Sequence, residues 1–535
     1  MNSFVTQHAK SVIGVLSGFD RLVFRGRLQR LSYAEGLKSY LNSAGILLKD
    51  FGCYAEKITE RLKETSLLTA RQQKRPIRYL ASSKTDKEKV AQRIAARDQI
   101  TEGTVCVLSC VEPCMAYEIH RNAEKHALEL RARPRKCLHL YHYLVHPQLG
   151  FLHARIQTWF PFAVQICLNG REWLSRQMDA AGLAYRRRDN CFTWIEDFAA
   201  AQRLMERQVS AAWPRLLKDV VKRIHPALDE LLPQPEFWAP WGYRWSVFQS
   251  EWATDITFRT RKELQQLYPR LVRHAMASFG PTDVLRFLGR KLNRDGSLPG
   301  YFNGEVTLDV KERPEGTRLK YWLDRNSGKM YDKWNNLRVE MTMNDPHGFK
   351  VFRHKETEPE GPLAWLPLRK GIADLRRRAE VSQAANDRFL DAQAAVTSQR
   401  SLAELTAGLC RRAQLVGRKR AGEPRSVQRF RALNPWAAED AELLTGIARP
   451  EFAQNGFRNR DLAAILYARD PNDSEQARRR SAAVTRKIRL LRAHGLVHKV
   501  PGSHRYQVSS EGRQAITALL AARNSNAELL TRLAA

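Results

Sequence analysis

Apolar and basic residues recur at helical spacing through YAEGLKSYLNSAGILLKDF and CYAEKITERLKETSLL, with Gly and Asn at the ends, so residues 1–75 read as a helical region. From Ile77 the period switches to alternation. IRYLA, GTVCVLSCV, AYEIHR, HALELRAR, CLHLYHYLVH and FLHARIQTWFPFAVQICL read as strands and REWLSRQMDAAG as a helix, which predicts an α+β antiparallel-sheet domain over 76–194. Residues 195–242 are helical and end in the Pro- and aromatic-rich PQPEFWAPWGY, a connector. A second β-rich core spans 243–367, with strands RWSVFQSEWATDITF and EVTLDV, a helical insert at KELQQLYPRLVRHAMASF, and a meander at Tyr321–Glu340. There KYWLD is a strand, RNSG a turn, KMYDK a strand, WNN a turn and LRVEMTM a strand. Residues 368–425 are a charged helix followed by the basic linker GRKRAGEPRS, and 426–535 close the chain with helices and a hairpin. The fold class expected is α+β and multidomain, with antiparallel sheets and helical segments.

Charge narrows the partner. Lys and Arg number 89 against 56 Asp and Glu, a formal net charge of +33, so the chain is drawn to polyanions, with single-stranded or duplex DNA the first expectation and RNA the second. With 535 residues and 43% hydrophobic content it can bury several cores, which excludes a disordered protein. No apolar run is long enough to span a membrane and the N-terminus is polar, so the expected location is cytoplasmic, at the nucleoid. Eight scattered cysteines exclude a disulfide framework. Cys106, Cys110 and Cys114 lack the second pair that a zinc site needs and read as buried thiols.

The C-terminal order resembles the winged helix-turn-helix domains of bacterial regulators: RNRDLAAILYA, then SEQARRRSAAVTRKIRLLRAHG, the hairpin LVHKVPGSHRYQVS and a last helix. The resemblance implies a C-terminal winged-helix domain over 426–535. It would place Arg478, Arg479, Arg480, Arg486, Lys487 and Arg489 in the major groove and Lys499, His504 and Arg505 on a wing against the backbone. The alternative is a winged helix used for protein contacts. Elsewhere Arg186, Arg187 and Arg188, beside aromatics, are candidates for phosphate contact, whereas Trp159 and Trp173 read as core.

Candidate chemistry sits in the central region. Alternation along FQSEWATDITF puts Glu251, Ala253 and Asp255 on one face and Trp252 and Thr254 on the other. With Glu340 the two carboxylates would suit Mg²⁺ or Mn²⁺, hard cations that polarise a phosphate. His139 and His142 point to opposite faces; with His146 and His153 they read as hydrogen-bonded or surface groups, a two-histidine metal site at His142 and His146 being the alternative.

The series Glu251-x-Ala-x-Asp255, Tyr321-x3-Arg-Asn-Ser327, KMYDK and LRVE resembles the rolling-circle plasmid replication initiators and relaxase-like proteins over roughly a hundred residues. That resemblance implies Tyr321 as nucleophile, with Tyr331 as rival, Asp255 and Glu340 as metal ligands beside Glu251, and Lys333 and Arg338 near the scissile phosphate. Three positions depart from the pattern: Glu251 replaces an aspartate, Leu323-Asp324 replaces Gly-Ser, and the spacing from Arg325 to KMYDK is shorter. The expected function is that of a plasmid or mobile-element protein, nicking and rejoining DNA by metal-assisted tyrosine attack. Two other functions remain open: a non-catalytic DNA- or RNA-binding regulator, and a metal-dependent nuclease or transposase that uses water.

Overall fold

The computed structural model describes residues 3–124, 126–225, 231–232, 242–290, 304–313, 316–355, 357–397, 402–416, 427–449, 451–452, 456–467, 471, 473–500 and 503–525. The tract at 233–241, the linker at 417–426 and Pro501-Gly502 of the hairpin turn lie outside them. Among the described residues no helix is long and apolar enough to cross a membrane.

The strands in chain order are β1 (Val12–Leu28), β2 (Ile77–Tyr79), β3 (Gly103–Asn122), β4 (Ala127–His146), β5 (Gly150–Gln157), β6 (Val164–Asn169), β7 (Tyr185–Arg188), β8 (Cys191–Ile195), β9 (Tyr243–Phe258), β10 (Val306–Arg313), β11 (Gly316–Leu323), β12 (Asn326–Lys333) and β13 (Asn336–Met343). All but β7 and β8 form one eleven-stranded sheet, ordered β10-β11-β12-β13-β9-β1-β6-β5-β4-β3-β2. Neighbours run antiparallel except β2 and β3. The two sheets read from the sequence as separate domains are therefore one. Their join is β1, which pairs with β9 from Val12 to Leu28 and with β6 from Arg21 to Gly26. Residues 12–28, expected within a helical region, form this central strand; the helices of that region are Ser3–Gln7, Ala34–Ser43 and Phe51–Gln72. The run VIGVLSGFDRLVFRGRL is long, β-branched and aromatic, a buried strand by composition.

Where β6 ends, the free edge of β1 is served by a helix. Gln202, on the helix Phe198–Glu206, accepts from Ser17 N at 2.8 Å and donates to Ser17 O at 3.1 Å, so a side-chain amide replaces a neighbouring strand. One face of the sheet is packed by helices. Phe19, Leu22 and Phe24 meet Trp213 and neighbours in a first core, while Ile256, Leu319, Tyr321, Met330 and Val339 meet the helices Arg261–Ser278, Pro281–Phe287 and Leu375–Thr397 in a second. The other face is polar over β9 to β13 and carries the candidate chemistry. The meander has tighter turns than expected, because Asn326, Ser327 and Gly328 already belong to β12.

After Leu375–Thr397 the chain forms helices Ala438–Ile447, Asn459–Leu466 and Ser474–Ala493, strands Val497–Lys499 and Tyr506–Val508, and helix Ser510–Arg523, around a core of their own. Phe457 bridges to Tyr506 beside that hairpin. Arg513 ties this unit to the long helix by an ion pair with Asp391 at 3.1 Å.

The histidines of β4 are buried rather than at the surface. His142, and His225 at the end of helix Trp213–Ile224, are 3% and 2% exposed; Nε2 of the first and both ring nitrogens of the second lack hydrogen-bond partners among the described residues. Burial, and for His142 also the nearby His225, pushes the imidazoles down, to about 3 and about 4. Both stay neutral in the fold, but in the unfolded chain they take up protons below about pH 6.5, so stability falls as pH drops beneath that value. His225→Phe should make the stability–pH curve shallower by about 1.4 kcal/mol per pH unit between about pH 6 and 4.5. Urea melts of wild type and variant across that window test this, and parallel curves would refute it.

Candidate functional site

Cross-strand register lines up three rows on the polar face. The first runs Arg21, Glu251, Thr342, Ser327, Trp322; the second Gly18, Ala253, Glu340, Lys329, Lys320; the third Leu16, Asp255, Arg338, Tyr331, Arg318. Alternation along β9 is as expected: Trp252 and Thr254 turn to the opposite face, where both donate to Gln383 of the long helix, at 2.7 and 3.2 Å. In the second row Gly18 makes the space that the Met205 side chain fills, where a Cβ would fall 2.2 Å from its Cε.

The pairing of β1 with β9 slips by one residue between Phe19 and Arg21, and the extra residue is Asp20. A β-bulge of this kind re-aims side chains. Asp20 and Arg21, adjacent in sequence, both reach the polar face: Asp20 Oδ1 accepts from Arg338 Nη1 at 2.9 Å, and Arg21 Nε approaches Glu251 at 4.0 Å. One carboxylate oxygen from each of Asp20, Glu251 and Glu340 lies within 4.8 Å of the other two. A small octahedral cation holds neighbouring oxygens about 3 Å apart and opposite ones about 4.2 Å apart, so these three would have to draw together to bind one. The donor set, three hard oxygens, fits Mg²⁺ or Mn²⁺.

Lys329 bridges two of these acids, with Nζ 2.6 Å from Glu340 and 3.5 Å from Glu251. Burial and then the neighbouring Glu340 push the Glu251 carboxyl up to about 7, against the pull of Lys329 and Arg21. Burial would raise Asp20 too, but Arg338, Arg171, Lys333 and Arg21 outweigh it and hold this carboxyl below its usual range. Asp20 and Glu251 are thus pushed in opposite directions although they share a site.

Asp255 is not among them. Arg338 grips it with Nε at 2.6 Å and Nη2 at 2.9 Å, and Arg171, fully buried at the start of helix Gly170–Ala180, adds a third bond at 2.8 Å. The β7–β8 hairpin closes over this pair: Asn190 O accepts from Arg338 Nη2 at 2.7 Å, and Asn190 Nδ2 donates to Asp20 at 2.7 Å. Of the expected set Glu251, Asp255 and Glu340, Asp255 is held by arginines instead, and the carboxylates that converge are Asp20, Glu251 and Glu340. Arg338, expected near a phosphate, is a buried clasp whose hydrogen bonds all go to protein.

The tyrosines separate just as clearly. Tyr321 is on the helix-packed face, fully buried, stacked on Phe389 at 5.2 Å and beside Phe287 at 5.7 Å. Its partner in register is Gly328, where a Cβ would fall 2.0 Å from the ring, so the glycine makes the space the phenol fills. A nucleophile cannot act from there. Tyr331 is half-buried on the polar face, two residues from Lys329, and its phenol is pushed up to about 12 by burial and then by Glu340. Lys333 lies on the same face, half-buried and within the field of Asp20.

No family model, curated protein or solved structure matches this chain.

The other expected contacts divide. Arg186 and Arg188 are exposed on the hairpin, over Trp194 at 5.7 Å and Trp334 at 3.4 Å, whereas Arg187 is taken up by Glu172. On helix Ser474–Ala493, Arg478, Arg486 and Arg489 are exposed; Arg479 pairs with Glu475, Arg480 lies over Tyr467, and Lys487 pairs with Glu439. Lys499 and His504 are exposed, but Arg505 donates to Gly456 O at 3.1 Å and rests over Trp365 at 5.2 Å, so it is not a free wing residue. Cys106 and Cys110 are buried thiols as expected, and Cys114 is half-buried.

Sequence reasoning missed Asp20, Arg21, Arg171 and Lys329. A signal existed for three of them. Two consecutive charges inside the apolar run GFDRLVF mark a bulge, and the alternation that exposes Tyr331 exposes Lys329 with it.

Proposed function

We propose that the protein is a nucleic-acid-processing enzyme that breaks a phosphodiester at the Asp20–Glu251–Glu340 cluster, with Tyr331 as the attacking group. One observation carries this: three carboxylates converge with Lys329 on the polar face of a strongly basic chain, one register row from the half-exposed Tyr331. A bound Mg²⁺ or Mn²⁺ would polarise the phosphate for attack. Tyr331 Oη then bonds to phosphorus while the bond to the 3′-oxygen breaks, and the phenol proton passes by way of a cluster carboxylate to the leaving 3′-oxygen, giving a 5′-phosphotyrosine and a free 3′-hydroxyl. Because the linkage keeps the bond energy, rejoining needs no nucleotide cofactor. With a phenol pushed up to about 12, attack depends on cations beside it, and Lys329 is one. The helix–helix–hairpin order after residue 438, with its exposed arginines, supports a winged helix that selects the site.

Incubation with supercoiled and single-stranded DNA plus Mn²⁺ tests the reading. Expected are nicks and a denaturation-resistant adduct, both lost in Glu251→Gln. The adduct should vanish in Tyr331→Phe and persist in Tyr321→Phe. Nicks without any adduct would hand the attack to water, and intact DNA under every condition would leave a binding protein.

A further inference from the structure

The polar face beyond the cluster holds a group of side chains that the cleavage chemistry does not use. Arg318, Lys320 and Trp322 take alternate positions of β11, directly across from Tyr331, Lys329 and Ser327 of β12. All three are half-buried, and the intervening Leu319, Tyr321 and Leu323 join the core on the opposite face. The cations differ from their neighbours. Lys311 and Lys329 are paired with Asp309 and Glu340, whereas Arg318 and Lys320 have no carboxylate partner among the described residues. Arg318 Nε is buried without a hydrogen-bond acceptor, an orphaned donor on a guanidinium. Lys320 lies instead over the Trp322 ring, 4.6 Å from its centroid. Burial, then the cations Lys329 and Arg318, hold its ammonium below the ordinary lysine range against the opposite pull of Asp309 across the strand pair.

We propose that this face binds a single strand of nucleic acid, laid across β11 and β12 with a base stacked on Trp322 and its phosphates on Arg318 and Lys320. The ligand must supply both an anion repeat and an open aromatic face. Paired bases in a duplex are stacked on each other and leave no face for Trp322, although duplex phosphates still reach cations. The inference builds on the proposed cleavage site as the strand's destination, since Lys320 shares a row with Lys329 and Glu340.

The test is fluorescence anisotropy of the full-length protein with labelled oligothymidine and with a duplex of equal length, in EDTA so that no cleavage occurs. Trp322→Ala should weaken oligothymidine binding about tenfold and duplex binding no more than about twofold, with Trp322→Phe restoring the loss. Arg318→Ala with Lys320→Ala should reduce the salt slope for the single strand by about 1.4. Equal losses on both ligands, or none, would overturn the track. A thermal melt of each variant identifies a loss that comes from misfolding, and the Trp322→Phe rescue then decides. A protein that binds through this face yet never cleaves would overturn the cleavage reading alone, and one that cleaves with no dependence on Trp322 would overturn the track alone.

Discussion

Arg338→Ala should cost about 3–5 kcal/mol of stability, the largest loss at the site, because it leaves two buried carboxylates without their main counter-charge. Arg338 is 2% exposed and supplies two hydrogen bonds to Asp255, one to Asp20 and one to Asn190 O. Burial alone would lower its guanidinium, but Asp20 and Asp255 reverse that and hold it well above its ordinary value. Its removal therefore exposes the desolvation cost of both acids and loosens the hairpin. Arg338→Lys should recover little, since an ammonium cannot grip Asp255 with two parallel bonds. The double variant Arg338→Met with Asp255→Leu should be more stable than Arg338→Ala alone, because it removes the stranded charge together with its partner. Urea denaturation of the three proteins decides it; a loss under about 1 kcal/mol for Arg338→Ala would mean that the clasp is solvated.

Tyr321→Ala should cost about 3–5 kcal/mol, whereas Tyr321→Phe should be neutral or slightly stabilising. The ring is fully buried against Phe287 and Phe389, so truncation opens a cavity in a packed core. The hydroxyl, in contrast, is buried with no hydrogen-bond partner among the described residues, and burial pushes its ionisation upward. Taking away an orphaned hydroxyl costs the fold nothing. A Tyr321→Phe protein destabilised by more than about 1 kcal/mol would show that the phenol has a polar partner. A nucleophile would give the reverse order, with activity lost in Phe and stability untouched.

Local pattern made much of the architecture legible. Alternation along FQSEWATDITF and LRVEMTM separated Glu251 and Asp255 from Trp252 and Thr254 because strand geometry has a period of two whatever the strand pairs with. The same rule could not say which carboxylates meet. Asp255 and Glu251 share a face, yet Asp255 is claimed by Arg171 from a helix 84 residues earlier and Glu251 by the cluster; only pairing across the sheet decides that. Asp20 was hidden for a related reason, since a bulge is an exception to the alternation that made the other residues readable. Tyr321 and Tyr331 looked equivalent because both lie on strands with basic neighbours. Ten residues apart, they keep nothing but parity within separate strands, and the two-residue turn at Asp324–Arg325 set them on opposite faces.

The pairing of β1 with β9 reaches beyond the finished fold. β1 leaves the ribosome well before the strand that covers it along its whole length, which begins only at Tyr243. At roughly 5–20 residues per second the nascent chain must carry a strand of high β propensity with its β9 edge open for about 10–40 s, longer than local hairpins need by many orders of magnitude. Expression hosts that slow translation or lack holding chaperones should therefore yield aggregates seeded by β1, and chains cut before β9 should remain insoluble.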